Sequence, residues 1–516
     1  MPVEKTFHLL PHIMVDQTNG QIKWFKSVFF IAIIILPNLF PLCQLYLTKG
    51  YLYYQNAYDE HSYLSYEAAS FEMGFFRISR YLVKWLHELG LSAGYINFIF
   101  DLVCPGVIAY LIFKIVVLLG FDKNKSLLAA VLIMMIPILI GGSNPFYSKI
   151  FYSTLSSGWV YWLVMPEAYF PPFYRTPEPQ FSYLLMVLAI YYSIKRKTFI
   201  PLYLAVPFLY GFLRVPYLFI VFSCHLFEIN KKYNFLRMKY ANWLIGFISY
   251  ALVSMMVGLY YEFALKDFVK ADFFPTTRLP FFSATFGICL LIWKLMPRYS
   301  KLKKSGFNAF IVAAPLVAVN TQIISGFISD PMNFEQSFGV ICFSYLAIVF
   351  ILSLSEQKKW ALPAFGVFAV CLSVVFSIKI FQINSNPVLL KKPPQKLIDA
   401  LRENSYNVVF RSNDLAATMS MVLPRQSYSS LAISQSFVFS APNYFNKYLC
   451  LKEKIKRYPE KYEEHKSALT ALDKGYKYLH SDFIFIHYNR RDKFHVFYDV
   501  HKKSENCNSE KLYFYP

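Results

Sequence analysis

Apolar runs of about 20 residues recur along most of this chain, separated by short polar connections, a spacing that predicts helices crossing a lipid bilayer. The first run extends from Ser27 to Leu47 behind Lys23 and Lys26. It is longer than a signal-peptide core and no small-x-small cleavage site follows Leu47, so it reads as a retained anchor. Further runs lie near 96–120, 127–141, 181–194, 199–211, 213–229, 241–262, 281–296, 307–328, 337–355 and 360–382, about eleven in all. The pair 199–211 and 213–229 is short and interrupted by Pro201, Pro207, Gly211 and Pro216. Broken backbone of that kind is tolerated at membrane depth only where protein or a cavity shields it from lipid.

The connections alternate in charge. Lys123 and Lys125 occupy one; Lys195, Arg196 and Lys197 the next; then Lys231, Lys232, Arg237 and Lys239. Arg298, Lys301, Lys303 and Lys304 follow, and last Lys358 and Lys359. The positive-inside rule places these loops and residues 1–26 in the cytosol, and the intervening loops outside. The polytopic region then covers 27–382, with outer loops 48–95, 142–180, 263–280 and 329–336. Within loop 48–95 the stretch 71–86 has a helical pattern. Phe76, Leu82, Val83 and Leu86 alternate with Arg77, Arg80 and Lys84, as in an interfacial helix whose basic side meets lipid phosphates or simply faces water.

Beyond Lys391, Lys392, Pro393 and Pro394 the pattern changes. Residues 406–411, 481–487 and 493–498 read as strands from their β-branched and aromatic content, with helical stretches near 414–421 and 444–478. The expected fold is a multi-pass α-helical membrane protein with a small C-terminal α/β domain over 383–516. An odd number of spans places that domain outside the cytoplasm.

Composition agrees with the pattern: 56% of residues are hydrophobic, 19% aromatic and only 16% charged. The net charge of +21 would suggest nucleic acid if it lay on one soluble face. Here it falls in short inner loops without any basic-aromatic recognition motif, so nucleic-acid binding is excluded. None of the eight cysteines has CxxC or zinc-knuckle spacing. Cys450 and Cys507 lie in the tail and pair if it meets an oxidising compartment; otherwise they are two thiols. The one Asn-x-Ser/Thr acceptor, Asn124-Lys125-Ser126, falls in an inner loop. Outer loops without such acceptors favour a bacterial inner membrane over a eukaryotic lumen.

The candidate chemistry begins with Tyr58-Asp59-Glu60-His61-Ser62-Tyr63, two adjacent carboxylates just beyond the first span. A carboxylate at the lipid–water boundary can act as general base on an acceptor, or hold a divalent cation that neutralises a phosphate leaving group. The bland alternative is a solvated acidic turn. Glu67 and Glu72 could supply a further carboxylate, or face solvent. In the second outer loop Arg175 offers a planar fork for phosphate among aromatics that either stack on sugars or form the interfacial belt. Arg214, between prolines in a broken span, either serves function or snorkels to an interface. Asn320, Thr321, Gln322 and Ser325 line a cavity or hydrogen-bond between helices. No Walker loop, GxGxxG after a strand, HExxH or serine-hydrolase elbow is present, so nucleotide-driven and serine-hydrolase chemistry are unsupported.

This layout resembles the GT-C superfamily of integral-membrane glycosyltransferases. The shared features are the acidic pair Asp59-Glu60 followed by Tyr63, juxtamembrane amphipathic helices, many spans with short broken ones, and a soluble outer tail. Arg175-x-x-x-Pro179-Gln180 and Asn320-x-Gln322-x-x-Ser325-Gly326 also look like stretches in bacterial relatives. The resemblance covers residues 20–382 in topology and only short motifs in sequence. It implies a polyprenyl-phosphate-linked sugar donor, a glycan, lipid or protein acceptor, Asp59 as catalytic carboxylate, and Glu60 as its neighbour or a metal ligand. Glu72, Arg175, Gln180, Arg214, Asn320 and Gln322 would surround the substrates. A second acidic site is not evident in the third or fourth span, so a divalent metal ion is left open as cofactor. The competing expectations are a transporter, flippase or polymerase of lipid-linked glycans, and a non-catalytic membrane scaffold.

Overall fold

The computed structural model describes residues 78–137, 179–233, 240–260, 280–296, 306–326, 334–358 and 360–384, several short strands elsewhere, and a few isolated positions. The chain divides into two compact units, Met1–Leu39 with Asp101–Ile380, and Phe40–Phe100 with Phe381–Pro516. Among the described residues the first unit is helical. Ala93–Leu118, Gly211–Tyr233, Ala241–Tyr260 and Ser337–Glu356 are each long and apolar enough to cross a membrane, with shorter apolar helices at Thr285–Leu295, Phe307–Ala318 and Pro363–Val375. These are the elements of a helical membrane protein.

In chain order, α1 (Ile78–Glu88) is followed by α2 (Ala93–Leu118) and α3 (Lys123–Met135). Asp122 caps α3, accepting from the Asn124 and Lys125 backbone N–H groups at 3.0 Å each, which satisfies two of the donors a helix start leaves open. Strand β1 (Tyr161–Leu163) precedes α4 (Gln180–Arg196). That helix ends on Lys197 in the left-handed region, φ 53°, with Thr198 N–H donating to the Ser193 carbonyl, the bond pattern of a Schellman cap. The chain returns through α5 (Ile200–Ala205) and a 3₁₀ turn at Val206–Phe208 into α6 (Gly211–Tyr233), then α7 (Ala241–Tyr260).

Next come β2 (Phe281–Ser283), α8 (Ala284–Leu295), α9 (Gly306–Ala318) and the four-residue α10 (Gln322–Ser325). A π turn at Glu335–Gly339 leads into α11 (Val340–Gln357), and α12 (Ala361–Asn384) follows. Each apolar run expected from 96 onward contains helix. The expected pair 199–211 and 213–229 resolves unequally. Only the first is broken, whereas α6 runs without interruption through Pro216, which sits early enough to forgo just one backbone bond, to the Phe212 carbonyl.

Packing shows which helix faces are left uncovered by protein. Helix α7 buries Ala241, Ile245, Ser249 and Val253 while Trp243, Phe247, Met255 and Leu259 stand exposed. Apolar side chains on the outside are unfavourable in water but neutral against acyl chains, as expected for helices apolar all round. In the first unit α6 packs on α7 and α9, and α8 on α9 and α11. Ala318, Val319 and Phe334 form a buried apolar cluster against which Phe212, Val215 and Phe281 pack.

In the second unit, α1 departs from the expected amphipathic division. Arg80 is buried beside Val83 and Leu86 rather than turned toward phosphates, and Tyr81, Trp85 and Leu89 are exposed at helical spacing. His87 donates through Nδ1 to the Leu91 carbonyl at 3.0 Å. The tail residues form a five-stranded mixed sheet. Its strands are β3 (Asn407–Phe410), β4 (Tyr428–Ser430), β5 (Phe483–Asn489), β6 (Lys493–Val500) and β7 (Glu510–Lys511), in the order β4-β3-β5-β6-β7. The pairs β3–β4 and β3–β5 are parallel; β5–β6 and β6–β7 are antiparallel. Three of these strands match those expected from sequence. The expected tail helices, and Cys450 and Cys507, lie outside the described residues.

Candidate functional site

A group of hydrogen-bonded polar side chains in the first unit lies at one end of its helices. Gln180 opens α4, and its Nε2 donates to Asp101 Oδ1, in the third turn of α2, at 3.4 Å, with both side chains fully buried. One turn on, the Tyr183 hydroxyl donates to the Ser337 carbonyl ahead of α11. The Ser182 hydroxyl accepts from the Tyr210 N–H just before α6, at 2.8 Å. Phe212 meets Phe334 edge-on at 5.2 Å. The starts of α4, α6 and α11 therefore lie together, with Asp101 of α2 beside them.

Asn320 adds α7, α8 and α9 to the same end. Its Oδ1 accepts from the Phe281 N–H at 2.7 Å, and its Nδ2 donates to the carbonyls of Phe281 at 2.7 Å and Leu316 at 2.8 Å. The primary amide thus pairs with β2 much as a further strand would, beside the parallel pairing of β2 with β1. That pairing ties residues 161–163 to the segment just before α8. The Tyr250 hydroxyl donates to the Asn320 carbonyl at 2.7 Å, and Gln322 Nε2 donates to Asn320 Oδ1 at 3.5 Å. Near the end of α7, a Cβ on Gly258 would stand 3.5 Å from Ser325 Cβ, so helix and turn approach closely.

Lysines gather at the opposite helix ends. Lys195 and Arg196 close α4, Lys231 and Lys232 close α6, Lys294 lies in the last turn of α8, and Lys358 follows α11. The alternation read along the sequence is thus an alternation in space.

Two arginines at the polar end hold broken backbone. Arg214 donates through Nε to the Leu209 carbonyl and through Nη2 to the Pro207 carbonyl, each at 2.7 Å. These are carbonyls that α5 and its 3₁₀ turn leave open where the helix stops. The other half of the break is pinned by Tyr203, whose hydroxyl lies 2.9 Å from His225 Nδ1, and by Phe199 stacked on the same ring at 4.6 Å. Arg278 donates through Nη1 to the carbonyls of Ile323 at 2.8 Å and Ile324 at 3.2 Å, closing the short helix α10.

Of the residues expected to surround substrate, Gln180, Arg214, Asn320 and Gln322 are brought to one end of the helices. There, Arg214 and Asn320 are engaged with backbone. Asp59, Glu60, Glu72 and Arg175 lie outside the described residues. Sequence reading passed over Asp101 and Arg278. Asp101 was discernible as a lone acid inside an apolar run, the kind of residue a membrane span retains only with a partner. Arg278 carried no such signal, since an arginine in a polar loop is unremarked until its neighbours are known. No group of three or more His, Cys, Asp or Glu side chains able to hold a metal ion occurs among the described residues. No family model matches the chain, and no curated protein matches it.

Proposed function

We propose that the protein is a membrane glycosyltransferase of GT-C type that moves a sugar from a polyprenyl-phosphate carrier to a glycan, lipid or protein acceptor on the outer face of the membrane. In this reading about eleven spans cross a bacterial inner membrane, with the N-terminus cytosolic and the α/β tail outside. Asp59 acts as general base on the acceptor, with Glu60 beside it, and the donor is received at the polar end. The observation that carries the reading is the gathering of Asp101, Gln180, Arg214, Arg278, Asn320 and Gln322 at the helix ends opposite the lysines. A lipid-linked sugar meets its acceptor at such a boundary, its chain in hydrocarbon and its saccharide in water.

The test is transfer by the full chain in membranes, supplied with polyprenyl-phosphate sugars and envelope acceptors. Asp59→Asn is expected to abolish transfer while insertion and expression stay at wild-type levels. Undiminished transfer by that variant would remove Asp59 from the mechanism. The two broken helices, α5 and the α9–α10 pair, favour a second reading, movement of lipid-linked glycans across the membrane. Under it Asp59→Asn is silent and Arg214→Ala blocks glycan movement in vesicles.

A further inference from the structure

Arg214 and Arg278 use their guanidinium groups differently. A guanidinium presents its side edge, Nε together with Nη2, as two parallel N–H bonds matched to a phosphate or carboxylate. In Arg214 that edge is spent, because Nε and Nη2 are the two nitrogens bonded to Leu209 and Pro207. In Arg278 only Nη1 is used, and it takes both the Ile323 and the Ile324 carbonyl. Those bonds orient the guanidinium and leave its Nε–Nη2 edge without a hydrogen bond, and with no ion pair, among the described residues.

Two further features bear on what the edge takes. Arg278 is exposed. Its Nη2 lies 3.5 Å from where a Cβ on Gly326 would stand, so a glycine with φ 86° leaves that nitrogen uncovered. Three residues along the chain, Phe281 packs on the apolar cluster of Val319 and Phe334, together with Phe212 and Val215. A fixed cation beside apolar surface at the polar end of a membrane helix bundle matches a ligand with an anionic head and a hydrocarbon chain.

We propose that Arg278 binds the phosphate head of an isoprenoid lipid through its Nε–Nη2 edge, and that Arg214 is a structural brace. This deepens the functional reading above and rests on its lipid-phosphate donor. The source of the phosphate is a lipid, since free phosphate has no use for the apolar cluster.

The experiment measures binding to the purified full chain in phosphatidylcholine nanodiscs, with geranylgeranyl phosphate, geranylgeraniol and inorganic phosphate as probes. Wild-type protein is expected to bind the prenyl phosphate about tenfold or more tightly than the alcohol, the advantage of a charge-assisted bidentate contact. Arg278→Gln stays polar but is shorter, uncharged and without the fork. It is expected to erase that advantage while alcohol affinity stays unchanged. Arg278→Lys, a cation without the fork, is expected to fall between. Undiminished phosphate preference in Arg278→Gln overturns the proposal. So does a parallel loss of both ligands and of thermal stability, which marks a helix cap and nothing more. Inorganic phosphate binding as tightly as the prenyl phosphate overturns the lipid source. A wild type that does not distinguish phosphate from alcohol sinks the lipid-phosphate reading itself, whereas the variant outcomes sink only the role of Arg278.

Discussion

Asn320 and Arg214 are side chains that a sequence reading offers to substrate and that the fold engages with backbone. Asn320 makes three short bonds, to Phe281 N–H, Phe281 carbonyl and Leu316 carbonyl, and its own carbonyl holds Tyr250. Truncation to alanine strands a donor and two acceptors away from water. Asn320→Ala is therefore expected to lose roughly 2–4 kcal/mol, read as a lowered thermal midpoint in detergent and reduced expression. A midpoint within error of wild type would show the clamp to be dispensable. Arg214→Ala should likewise lose about 2–4 kcal/mol, because two backbone carbonyls at the helix break lose their charged donor. If it instead inserts normally and loses only activity, Arg214 belongs to the substrate after all.

At the scale of the element, two turns carry left-handed residues with opposite consequences. Lys197 holds φ 53° at the end of α4, where a side chain costs about 1 kcal/mol that glycine does not. Lys197→Gly is expected to raise stability by up to about 1 kcal/mol in thermal or denaturant unfolding, and a loss would mean that the lysine charge matters more than its backbone. Gly326 at φ 86° is the reverse case. Gly326→Ala is expected to cost about 1–2 kcal/mol, since the new Cβ is strained and stands against Arg278. The element scale is also where sequence reading was most uneven. Hydrophobic runs located the helices, and β-branched content located β3, β5 and β6. The break at 206–210 was legible from Pro201 and Pro207, but Pro216 misled, since proline early in a helix forgoes one bond without ending it. The inward turn of Arg80 was illegible, because periodicity assigns a basic residue to a face without knowing what packs there.

For the whole molecule, the prediction concerns the two ends of the helices in the first unit. In a background lacking the exposed Cys43 and Cys371, cysteines at Lys197 and Pro280 are expected to react with impermeant reagents from opposite sides of the membrane. Labelling from one side would break the antiparallel arrangement on which the polar end depends. The same experiment at position 59 checks whether the Asp59-Glu60 pair shares the side of Pro280, as the proposed function requires.

Hydrophobic runs and loop charge are properties of contiguous residues, governed by transfer from water to lipid, and so the sequence alone determined the membrane class, the helix positions and the alternation of lysines. The partners of a side chain are not contiguous. Asn320 lies 39 residues from Phe281 and Gln180 lies 79 from Asp101. Only the packing of α2, α4, α6, α7, α8, α9 and α11 brought those groups within hydrogen-bonding distance. It decided which of two arginines is spent on carbonyls and which keeps its outer edge, because a guanidinium's role depends on the acceptors the fold places around it.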